Sequence, residues 1–175
     1  MGCSKKDKLM LLAPIVIVLF YYFLLYQFVG LIHEIGHCLA LLVLHVPING
    51  IRPVHPGWRT FYPTDAYELL SDGQKTFLHL SGGAFMTSVF IVLYYLYMKS
   101  AEPKDDIKSK SIHYSIKYIL LITIIKEALN TIIEGVFHPF YVENLPLAVL
   151  IITFVPVFGF LFLYIYELYH LNAAY

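Results

Sequence analysis

The sequence has little charge and almost no cysteine. Charged side chains make up 14% of its 175 residues, and twelve Lys and Arg balance twelve Asp and Glu. Without a basic stripe to neutralise a phosphate backbone, nucleic acid is not an expected partner. The two cysteines, Cys3 and Cys38, do not make a disulfide framework. Cys38 is interpreted as a small packing residue, because it lies about 100° around a helix from its neighbour His37.

Hydrophobic residues dominate the chain, at 59% of the total. They form four long segments, at residues 9–46, 77–98, 112–137 and 145–169, and about 20 apolar residues are enough for a helix to cross the lipid bilayer. A basic leader, residues 1–8, precedes the first segment. The expected fold is therefore an all-α integral membrane protein, a multi-pass bundle of four transmembrane helices in one domain over residues 1–175. The oligomeric state is not indicated.

The first apolar segment is longer than one bilayer core. As a single helix, residues 9–46 would extend about 57 Å. Either this helix is tilted or bent, or the segment breaks near Gly30 and the bundle has five spans. Residues 47–76 that follow are rich in Pro and Gly, and residues 48–54 and 58–62 are candidate strands around His55-Pro56-Gly57. This pattern predicts a loop or β-hairpin between the first two core helices.

Three polar side chains interrupt the first apolar segment in the pattern H-E-x-x-H. On a helix His33 and His37 are four positions apart and share one face, so both imidazoles can bind one Zn²⁺. Glu34 lies beside them, where it can take a proton from the attacking water. A charge at the centre of a membrane helix costs about 2.5 to 3.5 kcal/mol, so such residues are usually functional. This pattern predicts a zinc site with Glu34 as the catalytic base.

A second polar group interrupts the third apolar segment. At 100° per residue, Glu127, Asn130, Thr131 and Glu134 fall on one helix face. Lipid offers no hydrogen-bond partner, so this stripe must face a protein interior, a water cavity or a metal. For Glu127 the alternative is a structural ion pair with the adjacent Lys126.

Together these features resemble the site-2 protease family of intramembrane zinc metalloproteases. The resemblance is carried by the H-E-x-G-H motif at residues 33–37, the Pro/Gly loop, the helix with Ser81-Gly-Gly-Ala84, and the later helix ending at residues 130–135. It covers roughly residues 25–140. It implies a zinc metalloendopeptidase in which His33 and His37 bind zinc and Glu34 is the catalytic base, acting on membrane protein substrates in or near their transmembrane segments.

The third metal ligand departs from the family pattern. The family usually has Asp-Gly at this place, eight residues after an Asn and with an intervening Pro, whereas here Glu134-Gly135 follows Asn130 by four residues. By resemblance Glu134 is the expected third ligand, and the altered spacing leaves Glu127 as the alternative. Asn130 is expected to bind the extended backbone of the substrate.

Two other functions compete with intramembrane proteolysis. A di-iron hydroxylase or desaturase needs several histidine boxes, but His33 and His37 make only one and the other six histidines are isolated. A noncatalytic membrane protein that retains a metal-like site shares every residue named above. The sequence therefore favours the protease and keeps the noncatalytic protein as the alternative.

Overall fold

The structure is a computed structural model that describes residues 5–21, 26–54, 57–104, 106–138 and 143–173. The start of the leader, including Cys3, lies outside these ranges. The described chain is mostly helical and has one two-stranded sheet. Its elements, in chain order, are α1 (Lys5–Phe20), α2 (Tyr26–Val43), β1 (Gly50–Val54), β2 (Gly57–Phe61), α3 (Thr64–Glu68), α4 (Asp72–Ser100), α5 (Ile107–Thr131), a π-helical turn (Ile132–Val136) and α6 (Leu145–Ala173).

Two of the described helices are long and apolar enough to cross a membrane. They are α4 and, over Leu145–Tyr166, most of α6. The region Val29–Val43 of α2 is a shorter apolar helix. Ser71 caps the start of α4: its hydroxyl accepts a hydrogen bond from the Gln74 N–H, and the Gln74 side chain accepts one from the Ser71 N–H. The polar loop therefore ends sharply where the apolar helix begins.

The first apolar segment contains two helices with different partners. Gly30 lies inside α2, so the segment does not break at Gly30 itself; residues 22–25, between α1 and α2, lie outside the described ranges. Val18 of α1 packs with Tyr118 of α5 and Phe160 of α6 in one buried cluster. Helix α2 instead packs mainly against α4 and β2. The two described parts of the segment therefore pack against different neighbours.

Helix α4 touches α2 and α5 through glycines. A Cβ added at Gly36 of α2 would lie 2.5 Å from the Ser81 carbonyl oxygen and 2.9 Å from the Gly82 Cα. A Cβ added at Gly83 would lie 2.9 Å from the Glu127 carbonyl oxygen of α5. The Ser81–Ala84 region of α4 therefore lies directly against the motif helix α2, and α4 also lies directly against α5, the helix that carries the polar stripe.

The predicted hairpin is also present, and it lies on the motif helix. β1 and β2 pair antiparallel, with Gly50 opposite Phe61 and Val54 opposite Gly57. The Thr60 N–H donates to Oε2 of Glu34 at 2.7 Å, and the Thr60 hydroxyl donates to the Glu34 carbonyl oxygen at 3.2 Å. Through these bonds β2 is fixed beside the H-E-x-x-H motif.

The glycine contacts predict opposite effects for two alanine substitutions. Gly36→Ala should destabilise the protein by about 1 to 3 kcal/mol, because its methyl group would meet the backbone of α4. Gly159→Ala, within α6, is the matched control, since nothing lies within 4 Å of the added Cβ. It should be neutral or slightly stabilising. Thermal unfolding in detergent measures both, and equal Tm values for the two variants would contradict the close contact.

Candidate metal centre

His33, His37 and Glu134 form a candidate metal-binding group. Nε2 of His33 lies 3.0 Å from Nε2 of His37 and 3.4 Å from Oε2 of Glu134. Nε2 of His37 lies 3.6 Å from Oε1 of Glu134. Nitrogen and oxygen ligands at 2.0–2.2 Å in a tetrahedral site stand about 3.3 to 3.6 Å apart. The two separations to Glu134 match the ligand spacing of one small divalent ion, and the 3.0 Å between the imidazole nitrogens is slightly shorter than that spacing.

The partners of the two imidazoles fix which nitrogen carries the hydrogen. Nδ1 of His37 lies 2.9 Å from the Leu78 carbonyl oxygen, which can only accept, so this Nδ1 donates. Nδ1 of His33 lies 2.8 Å from Oε2 of Glu127, and a carboxylate likewise accepts. In neutral rings both Nε2 lone pairs then face each other at 3.0 Å. A cation bound between them relieves that repulsion, which is the chemistry expected of a metal site.

Gly82 leaves room at the ligand atoms. A Cβ at this position would lie 2.6 Å from Nε2 of His33 and would also collide with Nε2 of His37. Any larger residue on this face of α4 would therefore push the two imidazoles out of position. The two adjacent glycines of α4 permit two different close contacts. Gly82 faces the histidines, and Gly83 contacts α5.

Glu134 reaches the histidines from a π-helical turn at the end of α5. In this turn the Phe137 N–H donates to the Ile132 carbonyl oxygen at 3.2 Å, five residues back. The wider turn changes the direction of the side chains that follow the regular helix, a feature common at functional sites. The side-chain amide of Asn130 donates to Oε2 of Glu134 at 3.2 Å. The carboxylate is thus oriented from its own helix.

Glu127 lies on the other side of the His33 ring. It is 1% exposed, and its Oε1 accepts from Nζ of Lys126 at 2.9 Å while its Oε2 accepts from His33 Nδ1. The Lys126 pair, weighed from the sequence as an alternative to metal binding, is therefore present. The arrangement places Glu127 behind a ligand histidine, where a carboxylate orients the ring, rather than among the ligand atoms.

The metal-binding group and Glu34 line one cavity of about 950 Å³. The hairpin covers one side of it, through residues such as Trp58, Thr60 and Phe61, and the start of α6 lines another, through Leu145 and Pro146. Cys38 lies outside the metal-binding group; its sulfur is 3.7 Å from the Thr60 hydroxyl. Glu34 and the residues of the metal-binding group therefore border the same space.

Three cavity residues were not expected from the sequence to belong to the site. Tyr67 of α3, His79 of α4 and His138 after the π-helical turn line the same cavity. Burial raises the pKa of the Tyr67 phenol above its usual value, so its hydroxyl keeps its proton. The sequence spacing of the two histidines could have indicated that they belong to the site. His79 lies three residues before Gly82, on the same side of α4, and His138 lies four residues after Glu134.

Comparisons of the chain with protein-family models, with curated proteins and with solved structures found no match. The functional assignment therefore depends on the residues and the geometry of the site itself.

The geometry separates the roles of the two glutamates. Glu134→Ala should remove a ligand and abolish stoichiometric metal binding by the purified protein. Glu127→Gln should keep one metal ion per chain but weaken its affinity, since changes to such orienting groups typically cost 10- to 100-fold. Metal analysis and competition with a chelator measure the two effects. Full metal content in Glu134→Ala together with loss in Glu127→Gln would reverse the assignment.

Proposed function

We propose that this chain is an intramembrane zinc metalloprotease that hydrolyses peptide bonds in or near the transmembrane segments of membrane proteins. The observation that carries the proposal is the shared cavity: the carboxylate of Glu34 opens into the same space as the ligand atoms of His33, His37 and Glu134. Two histidines and one carboxylate are the protein ligands of several zinc peptidases, in which the fourth position is open.

The charges of the cavity favour a divalent ion. In their ionised forms, Glu34, Glu127 and Glu134 carry three negative charges, and Lys126 carries one positive charge. The remaining charged residue among those described at the cavity, Arg59, is exposed on the hairpin. The three glutamates and Lys126 together therefore carry two excess negative charges, and such charges are costly in an apolar environment. A divalent cation compensates them.

When bound, zinc supplies a Lewis acid that polarises the substrate carbonyl and makes water more acidic. Glu34 accepts the proton of the attacking water and passes it to the leaving amine. The Thr60 N–H holds Oε2 of this glutamate, which fixes the direction of the carboxylate. Glu127 and the Leu78 carbonyl oxygen hold the two imidazoles by their Nδ1 atoms. Glu34 and the two histidines are thus each oriented by a hydrogen bond to another group of the protein.

The exterior of the helices supports a multi-pass position in the bilayer. Large apolar side chains such as Leu96, Phe158 and Phe162 are more than half exposed on α4 and α6. A surface of this kind is stable when lipid covers it. A substrate helix must unwind before its carbonyls become accessible. Asn130 lines the cavity and is the proposed contact for the unwound backbone; its amide nitrogen donates to Glu134, which leaves Oδ1 to accept from the substrate.

The decisive variant is Glu34→Gln. Glutamine has the size of glutamate but cannot accept the proton of water, so cleavage of a membrane-embedded single-span substrate should fall by about 10²- to 10⁴-fold. Zinc content and Tm should stay unchanged. Glu68→Gln, on the exposed surface of α3, is the matched control and should keep full activity. His33→Ala should lose zinc and activity together.

The same assay separates the protease from the noncatalytic alternative. Equal cleavage by wild type and Glu34→Gln would remove Glu34 from the mechanism. A zinc-loaded wild type that cleaves none of a panel of single-span substrates in liposomes would favour the noncatalytic membrane protein.

A further inference from the structure

A second polar cluster lies in the cavity beside the metal-binding group. The rings of His79 and His138 stack, with centroids 3.7 Å apart and planes inclined by 17°. The Tyr67 hydroxyl lies 2.9 Å from Nε2 of His79. The three side chains come from α3, α4 and the end of the π-helical turn, so tertiary folding brings them together.

The cluster lies about one helical turn from the ligand atoms. On α4, His79 comes three residues before Gly82, which abuts both Nε2 atoms, and directly after Leu78, whose carbonyl oxygen binds His37. At the end of α5, His138 comes four residues after Glu134. One turn of helix rises about 5.4 Å. Each of the two segments therefore carries a histidine three or four residues from a residue that abuts or belongs to the metal-binding group.

The hydrogen-bonding capacity of the stacked pair is largely unused. Nδ1 of His138 is buried and has no hydrogen-bond partner among the described residues. Tyr67 can donate to Nε2 of His79, which leaves the hydrogen of that ring on Nδ1. A buried polar atom without a partner costs about 1 to 3 kcal/mol. Because Nδ1 of His138 is closed to solvent, a ligand in the cavity can reach the pair through Nε2 of His138 and Nδ1 of His79, which are not among these buried atoms.

We propose that His79 and His138 form a substrate subsite whose ring N–H groups donate to main-chain carbonyls of the substrate. This inference rests on the proposed function and extends it. An extended chain advances about 3.3 Å per residue, so a subsite displaced by about one helical turn along α4 would contact the substrate one to two residues from the scissile bond. When a membrane segment unwinds, its carbonyl oxygens lose the backbone N–H groups that donated to them in the helix. The neutral ring N–H groups of the two histidines take the place of those donors.

The subsite is tested by binding in a background that cannot cleave. The probe is a fluorescently labelled single-span peptide with a Gly-Pro pair inside its span, titrated with the zinc-loaded full chain carrying Glu34→Gln in detergent. His79→Phe and His138→Phe keep an aromatic ring for the stack but remove its nitrogens. Each should raise the Kd by about 3- to 10-fold, the value of one or two hydrogen bonds. His79→Asn, which places an N–H near the position of Nδ1, should restore part of the affinity.

His113 provides a matched control outside the cavity. Its ring also stacks on a tyrosine, Tyr97, whose hydroxyl lies 3.2 Å from Nδ1 of His113. His113→Phe makes the same chemical change near the start of α5, outside the cavity, and it should leave both the Kd of the peptide and the zinc content unchanged.

Unchanged peptide binding by both His79→Phe and His138→Phe, with one zinc per chain retained, would overturn the subsite. Loss of zinc in either variant would also overturn it, because the ring would then belong to the metal centre. A wild type that cleaves nothing, while peptide binding still depends on the histidine pair, would refute the proposed protease and support the subsite. Cleavage that depends on Glu34 but not on either histidine would support the proposed protease and refute the subsite.

Discussion

The contact of one helix with two neighbours brings the metal-binding group together. Helix α4 touches α2 where Gly36 meets Ser81 and Gly82, and it touches α5 where Gly83 meets the Glu127 carbonyl oxygen. The histidines belong to α2 and Glu134 follows α5, so their separation is set by how closely α4 lets both helices approach. Adding a side chain at any of these glycines would separate the ligands. Packing by small residues is thus the basis of the site.

The polar groups around the metal-binding group occur together because each charged side chain in an apolar interior needs a partner beside it. The chain of contacts runs from Lys126 through Glu127 to His33 and on to Glu134, and each charged group has an opposite charge or a hydrogen-bond partner beside it. Glu34 is held separately by the hairpin. The carboxylates still outnumber the cations in this interior, so a divalent ion bound there would have a structural as well as a chemical role.

Local patterns in the sequence were enough to predict most of the elements. Three features can be recognised from helical and strand periods in the local sequence. They are the H-E-x-x-H spacing, the polar face of α5, and the two short apolar runs separated by turn residues. Gly30 lies inside α2, and the different packing partners of α1 and α2 are a tertiary property that periodicity does not contain. Periodicity also could not separate Glu127 from Glu134. They share a helix face, and their distance along the axis, together with the π-helical turn, places them on opposite sides of His33. The contact of Thr60 with Glu34 and the meeting of His79 with His138 depend on tertiary structure, although spacing places each histidine about one turn from a site residue.

The most direct test of the central claim is the X-ray absorption spectrum of the zinc-loaded protein in detergent. If His33, His37 and Glu134 share one ion, the first shell should contain only nitrogen and oxygen at about 2.0 to 2.2 Å, with outer scattering from two imidazole rings. Glu134→Ala should remove an oxygen or the metal itself. A sulfur ligand at about 2.3 Å, or scattering from a single imidazole, would contradict the account.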